Sequence, residues 1–449
     1  MQYDNHAFLI TYSRFSIFDS LFIIISTKNK VLKQINKTIL PSGIKVLTEN
    51  IPYVKSFSLG FWLNVGSRDE SYKNNGISHF IEHMLFKGTK KRSARRIATE
   101  IESLGGYLNA FTSKEHTCYY GRGLSNHLEK TFDVISDMIQ NPAFKPFEIK
   151  KEAGVVVDEL NDIEDNPEEL IFDKFEEIIF GGKSLSLPII GTEKNITGFN
   201  QDSLFEYVKA KYGFNKLIIA ASGNIEHEKI LKLADRYFKK DLGNSRVNRK
   251  YYPLKNLPGK VEFIDKEIQQ VHSIIGRATA GYKDENRQKI AVLSQILGEG
   301  SSSRLFQAVR EKNGIAYQVN SFLNSYYDVS AFGIYLSTND KMVDRALSII
   351  SKELLKLRET KISERELKKA KESIKGNILL SLENTTSRMI RMAQSELYYN
   401  SMIPVEEVIK KIDSVSRADI LEVANSLLDE DLFIKIILKS KNTNLKTAA

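Results

Sequence analysis

The chain has 449 residues, 42% of them hydrophobic and 27% charged, which exceeds the usual size of one hydrophobic core and points to two domains. Its net charge of +9 arises from 65 Lys and Arg against 56 Asp and Glu, and no basic run is interleaved with aromatics, so no nucleic-acid surface is expected. A single cysteine, Cys118, excludes an intrachain disulfide framework and reads as a small buried apolar residue.

Residues 1–37 hold an apolar stretch, FLITYSRFSIFDSLFIIIS, that Arg14 and Asp19 interrupt and no small-residue cleavage site follows. It makes a poor membrane span and a poor signal peptide, and with Asp4 and few arginines a poor transit peptide. The expectation is a loose extension ahead of the folded chain, such as a start codon placed too far upstream would add. Further on, LGFWLNV and TCYYGRGL read as strands, and residues 126–140 and 146–165 as helices. A basic, proline-bearing stretch, RKYYPLKNLPGKV, then separates two halves, with a linker at 251–261. Beyond it VHSIIGRA and AFGIYLST read as strands and 285–297, 340–358, 363–381 and 385–399 as helices, Ser363 and Glu366 forming a capping box. Both halves run from strands into long helices. The expected fold is therefore α+β with an internal duplication, one domain at 38–250 and a second at 262–449.

Within the first half lies HFIEHMLF, His79 to Phe86. Ile77, Phe80, Ile81, Met84 and Leu85 recur at the spacing of one helix face, which puts His79, Glu82 and His83 on the other. Residues four apart stack on a helix, so both imidazoles can reach one metal ion with Glu82 beside them. This is His-x-x-Glu-His, the inverted form of a zinc-protease helix. Catalytic zinc usually takes three protein ligands, and KKEAGVVVDELNDIEDNPEEL offers Glu159 as the third. Glu152, about two turns earlier on the same face, is placed to orient a ligand.

On these motifs, with LPSGIKVLTENIPYVKSFSLGFWLNVGSRDE, IESLGGYLNAFTSKEHTCYY and LGEGSSSRLFQAVREKNGIAYQVNSF, the chain resembles the pitrilysin-type inverted zinc metallopeptidases. Within them it is similar to the branch of the mitochondrial processing peptidase catalytic subunit and its bacterial relatives, with motifs in family order from Leu40 to Phe322. The resemblance implies two similar α/β-roll domains forming a clam-shell around a central peptide-binding cavity. It implies one Zn2+ per chain on His79, His83 and Glu159, Glu82 as the base and Glu152 as a supporting carboxylate. It also implies that Arg310 and Tyr317, in VREKNGIAYQV, reach across the cavity, Tyr317 stabilising the oxyanion.

For the substrate, it implies an edge strand at Asn109 and Ala110 to which an extended peptide adds, and Phe86 lining the pocket after the scissile bond. Glu169 and Asp173 would hold a basic residue upstream of the cut. By local rules alone Asn166 is a helix N-cap, Pro167 the first helical residue, and Glu168 and Glu169 are charges that suit a helix start. Asp158, where a glutamate commonly precedes the third ligand, and Glu299 in a Gly-rich stretch depart from the family pattern. Laying ISHFIEHML on KIAVLSQIL puts Ala291, Ser294 and Gln295 at the metal and base positions, so the second half is expected to hold no metal there.

The implied activity is zinc-dependent endopeptidase cleavage of extended, unfolded peptides, with a processing peptidase cutting near basic residues as the narrower reading. The alternative is a non-catalytic assembly or pairing subunit of a peptidase or membrane complex. Implied partners are an unfolded or presequence-like peptide and a second copy in a homodimer, or a related subunit in a heterodimer. The expected setting is the cytoplasm of a bacterium, with the mitochondrial matrix as the alternative.

Overall fold

The computed structural model describes residues 35–239, 245, 247, 249, 251, 252 and 257–441. The expected extension as far as residue 34 and part of the expected linker lie outside the described residues. The first half builds a six-stranded sheet from β1 (Ile35–Ile39), β2 (Lys45–Asn50), β3 (Ser56–Leu63), β4 (Tyr107–Thr112), β5 (Thr117–Leu124) and β6 (Leu217–Gly223). Its order is β1-β2-β6-β3-β5-β4. Ile35 to Lys37, expected in the loose extension, instead pair with β2 as part of β1. The second half builds a five-stranded sheet from β7 (Lys260–Asp265), β8 (Val271–Ala280), β9 (Gln318–Ser325), β10 (Val329–Thr338) and β11 (Ile434–Lys439), ordered β7-β11-β8-β10-β9.

With β1 set aside, the two sheets share one plan. Each has a parallel pair, β2 with β6 or β7 with β11, followed by antiparallel pairs out to an edge strand, β4 or β9. The helices repeat as well. In the first half α1 (Ile77–Phe86) and α2 (Ala94–Glu102) separate β3 from β4. Then α3 (Leu128–Gln140), α4 (Pro146–Asp165), α5 (Pro167–Ile179), α6 (Glu193–Gly198) and α7 (Gln201–Lys211) separate β5 from β6, and α8 (His227–Tyr237) follows. In the second, α9 (Arg287–Leu297) lies between β8 and β9. Five more, α10 (Val343–Glu359), α11 (Glu364–Ser381), α12 (Thr385–Tyr399), α13 (Val405–Ser414) and α14 (Arg417–Leu427), lie between β10 and β11. No helix among the described residues is long and apolar enough to cross a membrane.

The local signals place most of these elements. Pro146 and Pro167 start α4 and α5 where a missing N–H costs nothing, and Asn166 caps α5 by accepting from the backbone of Glu168 and Glu169. The expected capping box on α11 forms only by half. Ser363 Oγ accepts from Glu366 N at 3.2 Å, but the Glu366 carboxylate turns to Arg304, 2.7 and 3.0 Å away, because a bidentate ion pair outweighs one neutral backbone donor.

Long-range packing exchanges one helix between the halves. Ile171, Phe175 and Ile179 of α5 pack on Ile274, Val329, Ala331 and Ile436 of the second sheet. Met389, Met392 and Ala393 of α12 pack on Leu47, Trp62, Cys118 and Ile218 of the first. Both faces of the central strands are thereby covered, which is why β3 and β10 are near-continuous apolar runs instead of alternating ones. A Cβ on Gly60 would fall 2.6 Å from Met389 Sδ, so α12 seats this closely only over a glycine. A buried ion network adds to the join: Arg68 pairs with Glu115 at 2.7 Å and, through both terminal nitrogens, with Asp328 at 2.7 Å.

Candidate metal centre

α1 begins at Gly76, whose φ of 96° suits a residue without Cβ. Its first free N–H groups are taken by Glu70, which accepts from Gly76 N at 2.7 Å, Ser78 N at 2.8 Å and Asn75 Nδ2 at 3.0 Å. Burial pushes the Glu70 carboxyl up to about 7 against these donors. Ile77, Phe80, Ile81, Met84 and Leu85 are buried in the first core with Ile149, Ala153 and Val156 of α4. That packing lays α4 against α1, and the seven-residue spacing of Glu152 and Glu159 gives both carboxylates one face of α4.

His79 Nε2 lies 3.7 Å from Glu159 Oε1, and His83 Nε2 lies 3.5 Å from Glu159 Oε2. One ligand atom from each of the three residues falls within 4.8 Å of the others, the only such group of three or more among the described residues. Glu152 Oε1 accepts from His83 Nδ1 at 3.0 Å and its Oε2 is 2.6 Å from Lys87 Nζ. The proton on Nδ1 is thereby held by Glu152, so that in the neutral ring it is Nε2, turned to Glu159, that carries the lone pair for a metal. Glu82 accepts a hydrogen bond from Thr112 Oγ1 at 2.5 Å, which ties it to β4.

The electrostatics separate the members. Burial, aided by His83, pulls His79 down to about 3, so its imidazole is neutral. At His83 burial acts downward too, but the Glu152 hydrogen bond and the charges of Glu159 and Glu82 outweigh it. Burial lifts Glu82 to about 7 against the Thr112 hydrogen bond, and raises Glu159. At Glu152 burial is overcome by His83 and Lys87, which hold it below its ordinary value. Two imidazole nitrogens and a carboxylate oxygen, converging with one carboxylate alongside, form a donor set that fits zinc.

The other expected site residues are placed unevenly. Asn109 and Ala110 do lie on an edge strand, and the Asn109 side chain holds its own strand: Oδ1 accepts from Ala110 N at 2.8 Å and Nδ2 donates to Tyr107 Oη at 2.7 Å. Phe86 is partly buried against the first core, its ring 6.5 Å from that of Tyr119. Glu169 accepts from Asn166 Nδ2 at 2.7 Å, as its helix-start role requires. Asp173 is half-buried, and burial lifts its carboxyl to about 6 although Lys114 opposes this. Arg310 sits in a π-helical turn, Phe306–Glu311, with its guanidinium over the Phe306 ring. Tyr317 is 72% exposed, and its neighbour Gln318 donates to Glu168 at 3.2 Å. Neither Arg310 nor Tyr317 forms a hydrogen bond or ion pair with His79, His83 or Glu159 among the described residues. Thr112, Lys87 and Glu70 were not foreseen from the sequence. Lys87 could have been, since it follows the motif by one helical turn. For Thr112 and Glu70 no local signal exists.

Comparison with known proteins places the chain in a family. Residues 45–193 match the family described as Insulinase (Peptidase family M16), and residues 198–374 match the Peptidase M16 inactive domain. An uncharacterized zinc protease of Streptomyces coelicolor is 34% identical, over 91% of this chain and 91% of that protein. The uncharacterized zinc protease YmxG of Bacillus subtilis is 36% identical, over 89% and 97%. Among solved structures, a protease from Helicobacter pylori superposes with a TM-score of 0.86 at 21% identity, covering 91% of this chain and 99% of that one.

Proposed function

The chain belongs to peptidase family M16, the insulinase family, and from that premise we propose that it is a zinc-dependent endopeptidase acting on extended, unfolded peptides. The convergence of His79, His83 and Glu159 with Glu82 alongside carries this reading. Those three residues hold the metal, one ion per chain. Zinc bound there supplies Lewis acidity to the scissile carbonyl. Glu82, kept poised near neutrality by burial, takes a proton from the attacking water and returns it to the leaving amine. Thr112 fixes the carboxylate that does so, and Glu152 with Lys87 orients His83. The peptide adds along β4, where Ala110 N exchanges the Asn109 side chain for a substrate carbonyl. Phe86 lines the pocket beyond the cut, and Glu169 and Asp173 favour a basic residue before it, as a processing peptidase requires.

Arg310 and Tyr317 complete the site in a two-fold homodimer in which the first half of each subunit faces the second half of its partner. The 72% exposure of Tyr317 supports a role met only when something covers it. Mixing exchangeable Glu82→Gln and Tyr317→Phe chains tests this: half of randomly paired dimers then hold one intact site, and activity should return to roughly a quarter of wild type. No return despite exchange sinks the shared site. The named relatives are bacterial proteins, which supports a bacterial, cytoplasmic setting. The proposal as a whole stands on measuring bound zinc together with hydrolysis of a mixed peptide library. Zinc without hydrolysis would favour a pairing subunit.

A further inference from the structure

A second cavity, of about 410 Å³, lies between the two halves, with Lys45, Asn64, His116 and Lys216 on one wall and Tyr398 and Asn400 on the other. None of its lining residues belongs to the candidate metal centre. Its charges are almost all engaged. Lys45 donates to Glu396 and to Asn400 Oδ1, both at 2.7 Å. Arg249 pairs with Asp69 and donates to Asn64, while the Glu115 carboxylate is held by Arg68 and Tyr327 N. The two carboxylates of the lining, Glu115 and Glu396, therefore already have cations. Lys216 has none. It forms no hydrogen bond or ion pair through its ammonium among the described residues, and burial, with Arg249 and Lys45 nearby, pulls it below its ordinary value although Asp69 opposes this. The one carboxylate that acts on it, Asp69, is itself held by Arg249, so the ammonium keeps no partner of its own.

The second observation is His116. It is 5% exposed, its Nδ1 is buried without a hydrogen-bond partner, and its ring packs between Trp62 at 5.2 Å and Phe111 at 6.0 Å. Burial, with Arg249, pulls it down to about 3, so it meets the cavity as a neutral imidazole. Because Nδ1 is enclosed, the ring can meet a group in the cavity only through Nε2, which likewise has no hydrogen-bond partner among the described residues.

We propose that this cavity binds a small oxyanion, a carboxylate or phosphate group, paired with Lys216 and hydrogen-bonded near His116, and that the bound ion joins the two halves. Its walls come from β2 and the segments that flank the other strands of the first half and from the end of α12, so occupancy tightens the seat of the exchanged helix. The site is independent of the proposed peptidase chemistry.

The test titrates the full chain with sodium phosphate and, in a second arm, sodium acetate, against sodium chloride at equal ionic strength, by calorimetry and thermal unfolding. At least one probe should bind saturably and raise the unfolding temperature. Lys216→Met should weaken that binding by roughly tenfold or more, the worth of one charge-assisted hydrogen bond, and Lys216→Arg should retain most of it. His116→Phe, which keeps the ring packing, should weaken it by a smaller factor and decides the matter if Lys216→Met does not fold. A response to phosphate alone identifies a phosphate site; a response to acetate identifies a carboxylate site. No saturable binding of either probe, or affinity unchanged in Lys216→Met, or in His116→Phe where that variant decides, overturns the proposal.

Discussion

α1 and α9 occupy the same place in two sheets of one plan, but their polar faces meet different fates. On α9, Ser294 bonds Ser321 Oγ of β9 at 3.0 Å and Glu299 at 2.9 Å, and Gln295 bonds the Glu299 carbonyl at 2.9 Å. The approach to β9 is so close that a Cβ on Gly298 would fall 2.2 Å from Ser321 N. Every one of those polar groups is satisfied inside the second half. On α1 Glu82 and His83 take the places of Ser294 and Gln295, and His79 that of Ala291; their partners are carboxylates on another helix and a single hydroxyl on β4. Duplication thus repeats the scaffold, while chemistry arises where polar groups are left with binding capacity to spare.

The strongest way to break the comparison is to substitute both helices. His79→Ala, His83→Ala or Glu159→Ala leaves at most two donors, and metal analysis should find the zinc gone along with hydrolysis. Ser294→Ala and Gln295→Ala should leave zinc content as it is. Glu82→Gln should keep zinc and lose activity by about 10²-fold or more, the usual worth of a general base. Zinc lost equally from the α9 variants would mean that the halves are not chemically distinct.

The next largest effect concerns what joins the halves. Asp328→Asn removes one of the two buried carboxylates that hold Arg68 and should cost about 1–3 kcal/mol in urea unfolding, because Glu115 still pairs with the guanidinium but the bidentate charged hydrogen bonds are lost. A loss under about 1 kcal/mol would leave α5 and α12 as the only effective join.

That join is also where the sequence stops being legible. α4 at 146–165 and α12 at 385–399 can be bounded from Pro146 and from apolar spacing, since those signals are local. That α12 covers the other half's sheet cannot be, because the partner of Met389 is Trp62, 327 residues away, and its apolar face would suit either sheet. The same holds at the metal centre. The His-x-x-Glu-His spacing brings His79 and His83 together within one helix, whereas Glu159 needs a helix crossing and Thr112 a strand pairing. Arg310 and Tyr317, inferred by resemblance alone, are not bonded to the triad.

The start of each helix gives a third test. α9 begins at an exposed turn in which Asp284 accepts from Asn286 N at 2.8 Å, but α1 begins on the buried Glu70. With its carboxyl raised by burial from 4.5 to about 7, the folded chain keeps a proton that the unfolded chain has released across that window. Stability should therefore fall as pH rises from about 5 to 7, by at most about 1.4 kcal/mol per pH unit from this group. Glu70→Gln should flatten the slope measured by chemical denaturation over that range, and an unchanged slope would assign the pH dependence elsewhere.

The smallest expected effect sharpens the comparison most. In the alignment of the two helices Lys87 corresponds to Glu299. Glu299 folds back on its own helix through Ser294, whereas Lys87 reaches Glu152 on α4 and holds it as an anion against His83. One residue beyond the motif thus decides whether the helix end serves itself or the centre. Lys87→Met keeps the helix and the stem but removes the charge that holds Glu152. Zinc affinity, read by competition with a chelator, should drop by roughly tenfold, the low end of what loss of a carboxylate behind a histidine ligand costs. Lys87→Arg should restore most of it, because a cation again faces Glu152. A purely structural role for Lys87 would lower stability in both variants without moving the chelator midpoint, and that outcome would remove Lys87 from the centre.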